Sequence, residues 1–358
     1  MAALKNSIIE TFGTPCPVID LDVVDRNIER AQNLCDAAGL ANRPHIKTHK
    51  SPLLAHMQID AGAVGITCQK LGEAEVMADA GISDIVIATN LLGAARSGQL
   101  AALQNRLPLK VCADNPVSLA AYARAAEDAG LVLDVMIECE TGQLRAGVET
   151  PADALTLARA IKDDPWLNFA GLLYYPSLDG WPRTQDFHDE MVAGLASLGL
   201  SAAIVSTGGT PNFEHLGELK GATEHRAGTC IFNDMMMVEN GFASLEDCAF
   251  QIFTSVVSRG GENRGILDAG SKTLTSDTGG LEGFGHIVEH PNARIHKFAE
   301  EHGFLDLTNC NDKPGVGEIV RVIPNHVCVA VNMVDQLVAV RSGEIAQVIP
   351  VAARGRLV

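Results

Sequence analysis

Short apolar segments alternate with alanine-rich helical segments between residues 43 and 239. Eight apolar runs end in polar or glycine-rich residues, as the strands of a buried parallel sheet do. They cover residues 43–50, 63–69, 84–90, 109–115, 131–140, 169–177, 202–209 and 225–234. The segments between them, clearest at 71–81 and 118–130, space their apolar residues by about 3.6 and end in glycine, which is typical of helices. Eight strand–helix units at roughly 25-residue spacing predict a closed (β/α)8 barrel, with an open doubly wound sheet as the alternative.

The pattern changes after about residue 240. Valine, isoleucine and turn residues replace the alanine-rich helices in four segments, 250–260, 264–274, 318–334 and 336–353. The last contains Arg341-Ser-Gly-Glu344, a sequence typical of a hairpin turn. These features predict an antiparallel β domain after the barrel.

Composition narrows the class of protein. The chain has 358 residues, 27 Lys+Arg and 44 Asp+Glu, for a net charge of −17, which argues against a nucleic-acid binder. Nine cysteines lie scattered without a CxxC pair, so we expect a reduced, cytoplasmic protein. The first residues lack the apolar region of a signal peptide, and no run of about 18 apolar residues predicts a membrane span.

One basic segment, RPHIKTHKS at 43–51, is a candidate reactive site. If it forms the first barrel strand, His45, Lys47 and His49 share a face and project together into the barrel mouth. An inward lysine on an apolar strand needs a partner or must be neutral, which is the environment of a Schiff-base lysine. The simpler interpretation is a basic strand end that binds an acid, and the segment alone leaves both open.

Two glycine-containing turns are candidate anion sites. Ser206-Thr207-Gly208-Gly209-Thr210 follows the seventh apolar run, and Arg226-Ala-Gly228-Thr229 lies in the eighth. Phosphate sites of such barrels follow strands 7 and 8, although glycine-containing loops are also common without a ligand. Arg145 follows the fifth strand at the same end, where it could hold the phenolate oxygen of a pyridoxal ring or be an ordinary ion-paired arginine.

The β domain holds one candidate metal pair. His326-Val-Cys328 lies in a predicted strand, whose alternation puts imidazole and thiolate on one face, a combination suited to Zn²⁺. A buried cysteine near a hydrogen-bonded histidine is the alternative. Asp268–Lys272 and Glu300–His302 are polar islands without a derivable role, and the second could supply a further metal ligand.

The ordered set of motifs resembles the fold-type III pyridoxal-phosphate enzymes, in the branch of the D-threonine aldolases and D-serine dehydratases. The motifs are RPHIKTHKS, TCQKLGEAEVM, ETGQLRAGV, STGGTP, HRAGTCIFND, LDAGSKTL, EEHG and PNHVC. The resemblance covers essentially the whole chain. It implies an alanine-racemase-like barrel at 17–239, a β domain formed by 1–16 and 240–358, and a homodimer.

The same resemblance implies roles for individual residues. Lys47 matches the Schiff-base position, with His45 and Tyr175 beside it as further catalytic candidates. The cofactor-binding set is Lys47, Arg145, Tyr175, Thr207, Gly208, Gly209, Gly228 and Thr229, and the metal ligands are His326 and Cys328. The chain departs from the branch at Cys230, where tyrosine is usual.

The metal pair is His-x-Cys, which resembles zinc-dependent dehydratases, whereas the remaining sequence is closer to D-threonine aldolases. The expected function is a lyase acting on D-β-hydroxy-α-amino acids, with pyridoxal phosphate and a divalent metal, zinc before manganese or magnesium. The expected reaction is retro-aldol cleavage, with a D-serine, D-threonine or 3-hydroxy-D-aspartate dehydratase as the alternative.

Two other activities fit the barrel less well. A racemase needs a second acid–base group, typically a tyrosine of the partner's β domain, yet Tyr122, Tyr174 and Tyr175 all lie in the barrel portion. A non-enzymatic pyridoxal-phosphate carrier would lack the long β domain.

Overall fold

The computed structural model describes residues 2–358. Its helices are α1 Ala2–Phe12, α2 Leu21–Ala37, α3 Pro52–Asp60, α4 Leu71–Asp79, α5 Ala94–Gln104, α6 Pro116–Ala129, α7 Pro151–Asp163, α8 Trp181–Ser197, α9 Met235–Glu239, α10 Ser271–Leu274 and α11 Val327–Asn332. Single 3₁₀ turns cover Ile46–Thr48, Thr210–His215, Thr229–Ile231 and Leu245–Asp247. The chain divides into two compact units: residues up to Glu29, Thr48–Ser51 and Thr229–Arg354 form one, and Arg30–Lys47, Pro52–Gly228 and Gly355–Val358 the other.

Eight parallel strands form the sheet of the second unit. They are β2 Ala41–Asn42, β3 Ile66–Cys68, β4 Ile85–Ile87, β5 Leu109–Ala113, β6 Leu133–Cys139, β7 Leu167–Tyr174, β8 Ile204–Thr207 and β9 Glu224–His225. Their order is β2-β9-β8-β7-β6-β5-β4-β3. The end strands meet, because Val64 N–H donates to Asn42 O (3.0 Å) and Thr67 N–H donates to Pro44 O (2.8 Å). The predicted parallel barrel is therefore confirmed.

Helix α6, between β5 and β6, begins and ends at residues that favour helix termini. The Asn115 side chain accepts a hydrogen bond from Ser118 N–H at the start of α6, and Pro116 occupies the first helical position. Gly130 ends α6 in the left-handed conformation, with φ 67°. An apolar cluster of Val86, Cys112, Met136, Ala170 and Leu173 joins neighbouring strands of the barrel.

The first unit contains an antiparallel sheet, as predicted. Its strands are β1 Cys16–Asp20, β10 Phe250–Gly260, β11 Arg264–Leu267, β12 His286–Ile287, β13 Arg294–Phe298, β14 Gly303–Asp306, β15 Ile319–Ile323, β16 Gln336–Arg341 and β17 Glu344–Pro350. The order is β13-β14-β11-β10-β1-β16-β17, and β15 pairs with β10 and β12. The expected hairpin joins β16 and β17, and Ser342 and Gly343 take φ values of 51° and 79° there.

Helix α1 contributes to the core of this unit. Its buried Leu4 and Ile8 pack in one cluster with residues of β1, β10, β15 and β16, namely Cys16, Val18, Phe253, Ile319, Val338 and Val340. The first strand β1 runs antiparallel to β10 and parallel to β16. Among residues 2–358 no helix combines the length and apolar character needed to cross a bilayer.

Candidate active site

The carboxyl ends of the barrel strands carry most of the predicted chemical groups. His45 follows β2, Tyr175 follows β7, Thr207 ends β8 and Arg226 follows β9. Because parallel strands end at one rim, the fold assembles these side chains from distant parts of the sequence.

The segment around Lys47 differs from its prediction. Strand β2 stops at Asn42, His45 makes one isolated bridge to Thr67, and Lys47 lies in a 3₁₀ turn. The chain turns here because Lys47 N–H donates to Nδ1 of His45 at 3.3 Å. The prediction that residues 43–50 form a strand was therefore wrong, and the alternation argument does not explain how His45, Lys47 and His49 are oriented.

His45 is a neutral imidazole with a defined tautomer. Gln69 donates its amide to Ala88 O (3.0 Å), so its Oε1 faces Nε2 of His45 at 3.2 Å and accepts from it. Burial, and next the charge of Lys47, hold the pKa of His45 well below its usual 6.5. Arg226 and Arg145 lower the same pKa, so these cations lie in the neighbourhood of His45.

Arg145 and Tyr175 contact each other. The guanidinium of Arg145 lies 5.2 Å from the ring centre of Tyr175, and its Nη2 lies 3.5 Å from Glu138. A Cβ placed on Gly209 would lie 2.8 Å from the Tyr175 ring and 3.2 Å from its hydroxyl. Tyr175 therefore lies between the predicted phosphate loop and the predicted phenolate-binding arginine.

Two carboxylates shape the loop that carries Arg145. Glu140 is buried and accepts hydrogen bonds from the N–H groups of Gly142 and Arg145, which lower its pKa against the opposing effect of burial. Asp114 accepts from Gly147 N–H at 2.9 Å. Backbone N–H groups of this loop therefore hydrogen-bond to Glu140, and the N–H of Gly147 at its end hydrogen-bonds to Asp114.

The loop after β8 is tightly packed. A Cβ on Gly208 would overlap the ring of His225, whose Nε2 donates to Gly209 O at 3.1 Å. Burial lowers the pKa of His225 to about 3. The buried hydroxyl of Thr207 has no hydrogen-bond partner among residues 2–358. A buried hydroxyl without a partner is an available donor for a phosphate oxygen.

Arg226 adds a buried positive charge at the same rim. Its guanidinium donates to Ser206 Oγ (2.7 Å) and to Tyr174 O (2.8 Å). Burial lowers its pKa, while Glu224 is the strongest opposing influence. Burial likewise raises the pKa of Glu138, and Arg145 opposes that shift.

The barrel rim therefore fits a phosphate-bearing aldehyde. Thr207 offers a hydroxyl that has no hydrogen-bond partner among residues 2–358, and the charges of Lys47, Arg226 and Arg145 help to lower the pKa of His45. An amine for an aldehyde carbon and several positive charges for an anionic ligand are present in the barrel unit.

The candidate metal pair, His326 and Cys328, lies in the antiparallel unit, but not in a strand. Strand β15 ends at Ile323, His326 precedes α11 and Cys328 lies in its first turn, so the predicted strand across 326–328 was wrong. Asp234 accounts for the start of α11, because its Oδ2 accepts from Val327 N–H at 2.9 Å. Its Oδ1 accepts from Met237 N–H at 3.1 Å and so begins α9.

The two residues of the pair nevertheless meet. A hydrogen bond with Cys328, and a further one with Asp277, raise the pKa of His326 to about 9. The hydroxyl of Thr48, the residue after Lys47, lies 3.3 Å from Cys328 Sγ, and that of Thr229 lies 3.9 Å from it. An imidazole and a partly exposed thiol side by side fit a divalent metal that accepts nitrogen and sulfur ligands.

The other polar islands form a turn contact. Ser271 N–H donates to Ala299 O and Lys272 N–H donates to Glu300 O, while Lys272 pairs with Glu301 at 2.7 Å. No group of three or more His, Cys, Asp or Glu side chains within residues 2–358 has the geometry of a metal site. The polar group that meets His326 is Asp277, which the sequence did not single out; its only signal is a turn-forming Ser-Asp-Thr-Gly-Gly stretch at 276–280.

Two family models match the chain. Alanine racemase, N-terminal domain, matches residues 19–235, and the putative serine dehydratase domain matches residues 249–340. The D-threonine aldolase of Arthrobacter sp. is 33% identical over 356 residues, which cover 96% of this chain and 93% of the relative.

Solved structures of a D-threonine aldolase and a related dehydratase are also similar to this chain. D-threonine aldolase from Filomicrobium marinum superposes with a TM-score of 0.88 at 30% identity, covering 96% of each chain. D-threo-3-hydroxyaspartate dehydratase from Delftia sp. superposes with a TM-score of 0.84 at 30% identity, covering 95% of this chain and 97% of that one. Mutants of that dehydratase replace a histidine and a cysteine two positions apart, and the cysteine mutant is described as metal-free.

Proposed function

The chain belongs to the fold-type III pyridoxal-phosphate enzymes, in the branch of the D-threonine aldolases and D-serine dehydratases, and from this premise we propose that it is a metal-dependent lyase of D-β-hydroxy-α-amino acids. The proposed reaction breaks the Cα–Cβ bond and gives glycine and an aldehyde. The similarity to D-threonine aldolase over 96% of the chain supports this choice.

The observation that carries the proposal is the arrangement of three barrel residues: Arg145 lies 5.2 Å from the ring centre of Tyr175, Tyr175 lies against Gly209, and the buried hydroxyl of Thr207 has no hydrogen-bond partner among residues 2–358. Pyridoxal phosphate supplies, when bound, an electron sink for negative charge at the substrate Cα. Lys47 is the amine that holds its aldehyde carbon. Thr207, Gly208, Gly209, Gly228 and Thr229 hold its phosphate.

Arg145, His45 and Tyr175 orient the cofactor and set the charge around it. Arg145 holds the phenolate oxygen, and its contact with Tyr175 restricts both side chains. His45 stays neutral at pH 7, so it adds no further positive charge beside Lys47 and can accept a hydrogen bond from its backbone. Tyr175 contributes an oxygen next to Gly209, where it can hydrogen-bond to the cofactor or to the reacting amino acid.

We propose His326 and Cys328 as ligands of a divalent metal, with zinc preferred because of the thiolate. Such an ion would act as a Lewis acid toward the β-hydroxyl oxygen of the amino acid. Two protein ligands leave coordination positions for that oxygen. The metal-free cysteine mutant of the Delftia dehydratase supports this assignment.

One observation favours a second candidate, a dehydratase that gives a 2-oxo acid and ammonia. The dehydratase relative carries a histidine and a cysteine at the spacing of His326 and Cys328. Incubating the holoenzyme with D-threonine separates the two reactions. Glycine with acetaldehyde is the expected product pair, whereas 2-oxobutyrate with ammonia would replace the aldolase by the dehydratase.

A Lys47→Ala variant tests the cofactor assignment. We expect it to lose the visible absorbance of bound pyridoxal phosphate while its circular dichroism stays that of the parent protein. Retention of that absorbance would remove Lys47 from the site.

We also propose a homodimer in the cytoplasm. The nine free cysteines fit a reducing compartment, and light scattering on the purified holoenzyme measures the mass of the assembly.

A further inference from the structure

The imidazole of His326 has a carboxylate on one ring nitrogen. Its Nδ1 lies 2.6 Å from Oδ2 of Asp277, within hydrogen-bond distance, and the ring also hydrogen-bonds with Cys328. A carboxylate at Nδ1 requires a hydrogen on that nitrogen, so in the neutral ring that binds a metal the lone pair lies on Nε2.

Asp277 is held in place by its own turn. Its N–H donates to Thr275 Oγ1 at 3.1 Å, and its Oδ1 accepts from Gly279 N–H at 3.0 Å. Gly279 takes φ +60°, and a Cβ there would overlap the side chain of Met236. One carboxylate oxygen therefore fixes the turn, and the second points at His326.

The backbone of the metal pair has an independent support. Asp234, completely buried, accepts from Val327 N–H between the two ligands, and Met236 N–H donates to Asn325 O at 3.1 Å. The turn that carries His326 and Cys328 thus does not depend on Asp277 for its shape, and a change at Asp277 acts on the imidazole ring.

We propose that Asp277 is the positioning residue of the metal centre: it keeps His326 in the Nδ1–H tautomer and fixes the ring so that Nε2 binds the metal together with Cys328. This inference rests on the proposed metal site. Carboxylates that orient a ligating histidine in this way typically contribute 10- to 100-fold in metal affinity. Asp277 is not a ligand in this arrangement, because its Oδ2 is engaged by His326 and its Oδ1 by Gly279.

The variant Asp277→Asn tests the role with little change in shape. The amide oxygen can still accept from Gly279 N–H, but the amide nitrogen now donates toward Nδ1, which favours the tautomer with hydrogen on Nε2. We expect the dissociation constant for zinc, measured by competition with a chromophoric chelator, to rise about 10- to 100-fold. The circular dichroism and the absorbance of bound pyridoxal phosphate should not change.

Asp306→Asn is the matched control. Asp306 is another aspartate of the antiparallel unit that closes a turn: its Oδ1 accepts from Thr308 N–H at 3.0 Å and from the Thr308 hydroxyl at 2.6 Å. Zinc affinity should stay unchanged in this variant. Nitrogen NMR of ¹⁵N-histidine-labelled, zinc-loaded protein, assigned with His326→Gln, should show a hydrogen-bearing Nδ1 and a metal-shifted Nε2.

Several results would overturn the role of Asp277. They are unchanged zinc affinity in Asp277→Asn, zinc on Nδ1 of His326, or loss of an oxygen ligand from the zinc in the X-ray absorption spectrum of Asp277→Ala. If instead His326→Ala binds zinc as tightly as the parent protein, the proposed metal site itself is wrong. The two failures are therefore distinguishable.

Discussion

The buried His225 predicts a specific dependence of stability on pH. Its side chain is fully buried, its Nε2 donates to Gly209 O, and its pKa falls from 6.5 to about 3 in the folded protein. As the pH drops below 6.5, the unfolded chain binds a proton that folded His225 does not, so unfolding becomes more favourable. The destabilisation is absent above about pH 7, grows as the pH falls to about 3, and stays constant below that.

The magnitude follows from the size of the shift. One pH unit of separation corresponds to about 1.4 kcal/mol, and the unfolded histidine is only half protonated at pH 6.5, so His225 alone should destabilise the fold by about 2.3 kcal/mol between pH 6.5 and pH 4.5. The variant His225→Gln removes the titrating group and retains a donor at the position of Nε2. As the pH falls from 6.5 to 4.5, the free energy of unfolding of His225→Gln should therefore rise relative to that of the parent protein by the same amount.

Urea unfolding followed by tryptophan fluorescence measures this difference, because Trp166 and Trp181 both lie in the barrel unit with His225. His56→Gln is the matched control: His56 makes a similar contact, Nε2 to Ala80 O at 2.9 Å, from a partly buried position on α3. This variant shows what the exchange of histidine for glutamine does to the unfolding free energy where the ring is not fully buried. Parallel curves for His225→Gln and the parent protein from pH 6.5 to 4.5 would refute the assignment of a neutral, buried His225.

Three further predictions concern the candidate site. Gly208→Ala places a methyl group against His225 at φ +74°, so the free energy of unfolding should fall by at least about 2 kcal/mol and the melting temperature should fall with it; an unchanged melting temperature would contradict this packing. Glu140→Ala leaves the N–H groups of Gly142 and Arg145 without their acceptor, and amide exchange at 141–146 should accelerate about 10-fold or more, whereas unchanged exchange would show that other contacts order the loop. Chelation should abolish lyase activity without releasing pyridoxal phosphate, and zinc should restore it; full activity in metal-free enzyme would argue against a metal at His326.

The architecture could be predicted because its signals are local. The apolar runs and the helix signals between them occur within single segments, as in α6 with Asn115 at its start and Gly130 at its end. Such signals depend on the backbone preferences of neighbouring residues, and they were sufficient for both the barrel and the antiparallel sheet.

The two segments that hold the proposed Schiff-base lysine and the proposed metal ligands were predicted wrongly in their local structure. The chain after His45 forms a 3₁₀ turn, and the segment after Pro324 begins a helix, although both sequences alternate in the manner of a strand. In the second case the decisive contact joins Asp234 to Val327, 93 positions away in the sequence. Alternation over a few residues does not contain that information.

The supporting residues of the site escaped sequence reasoning for the same reason. Asp277 meets His326 across 49 positions, and Gln69 meets His45 across 24. Neither lies in a motif whose chemistry is evident from the residues alone. The proposed cofactor-binding groups of the barrel follow strand ends and can be located by counting strands, whereas the groups that orient the candidate site residues depend on tertiary contacts.

The cysteines of the chain differ in how well they are protected from reagents. Eight of them are buried, and Cys328 is the one partly exposed thiol among residues 2–358. A mild alkylating reagent applied to the folded protein should therefore label one position per chain. We then expect an oxidant to inactivate the enzyme first at Cys328, the proposed zinc ligand. Bound metal should shield this thiol, so the rate of alkylation should report the fraction of the protein that is loaded with metal.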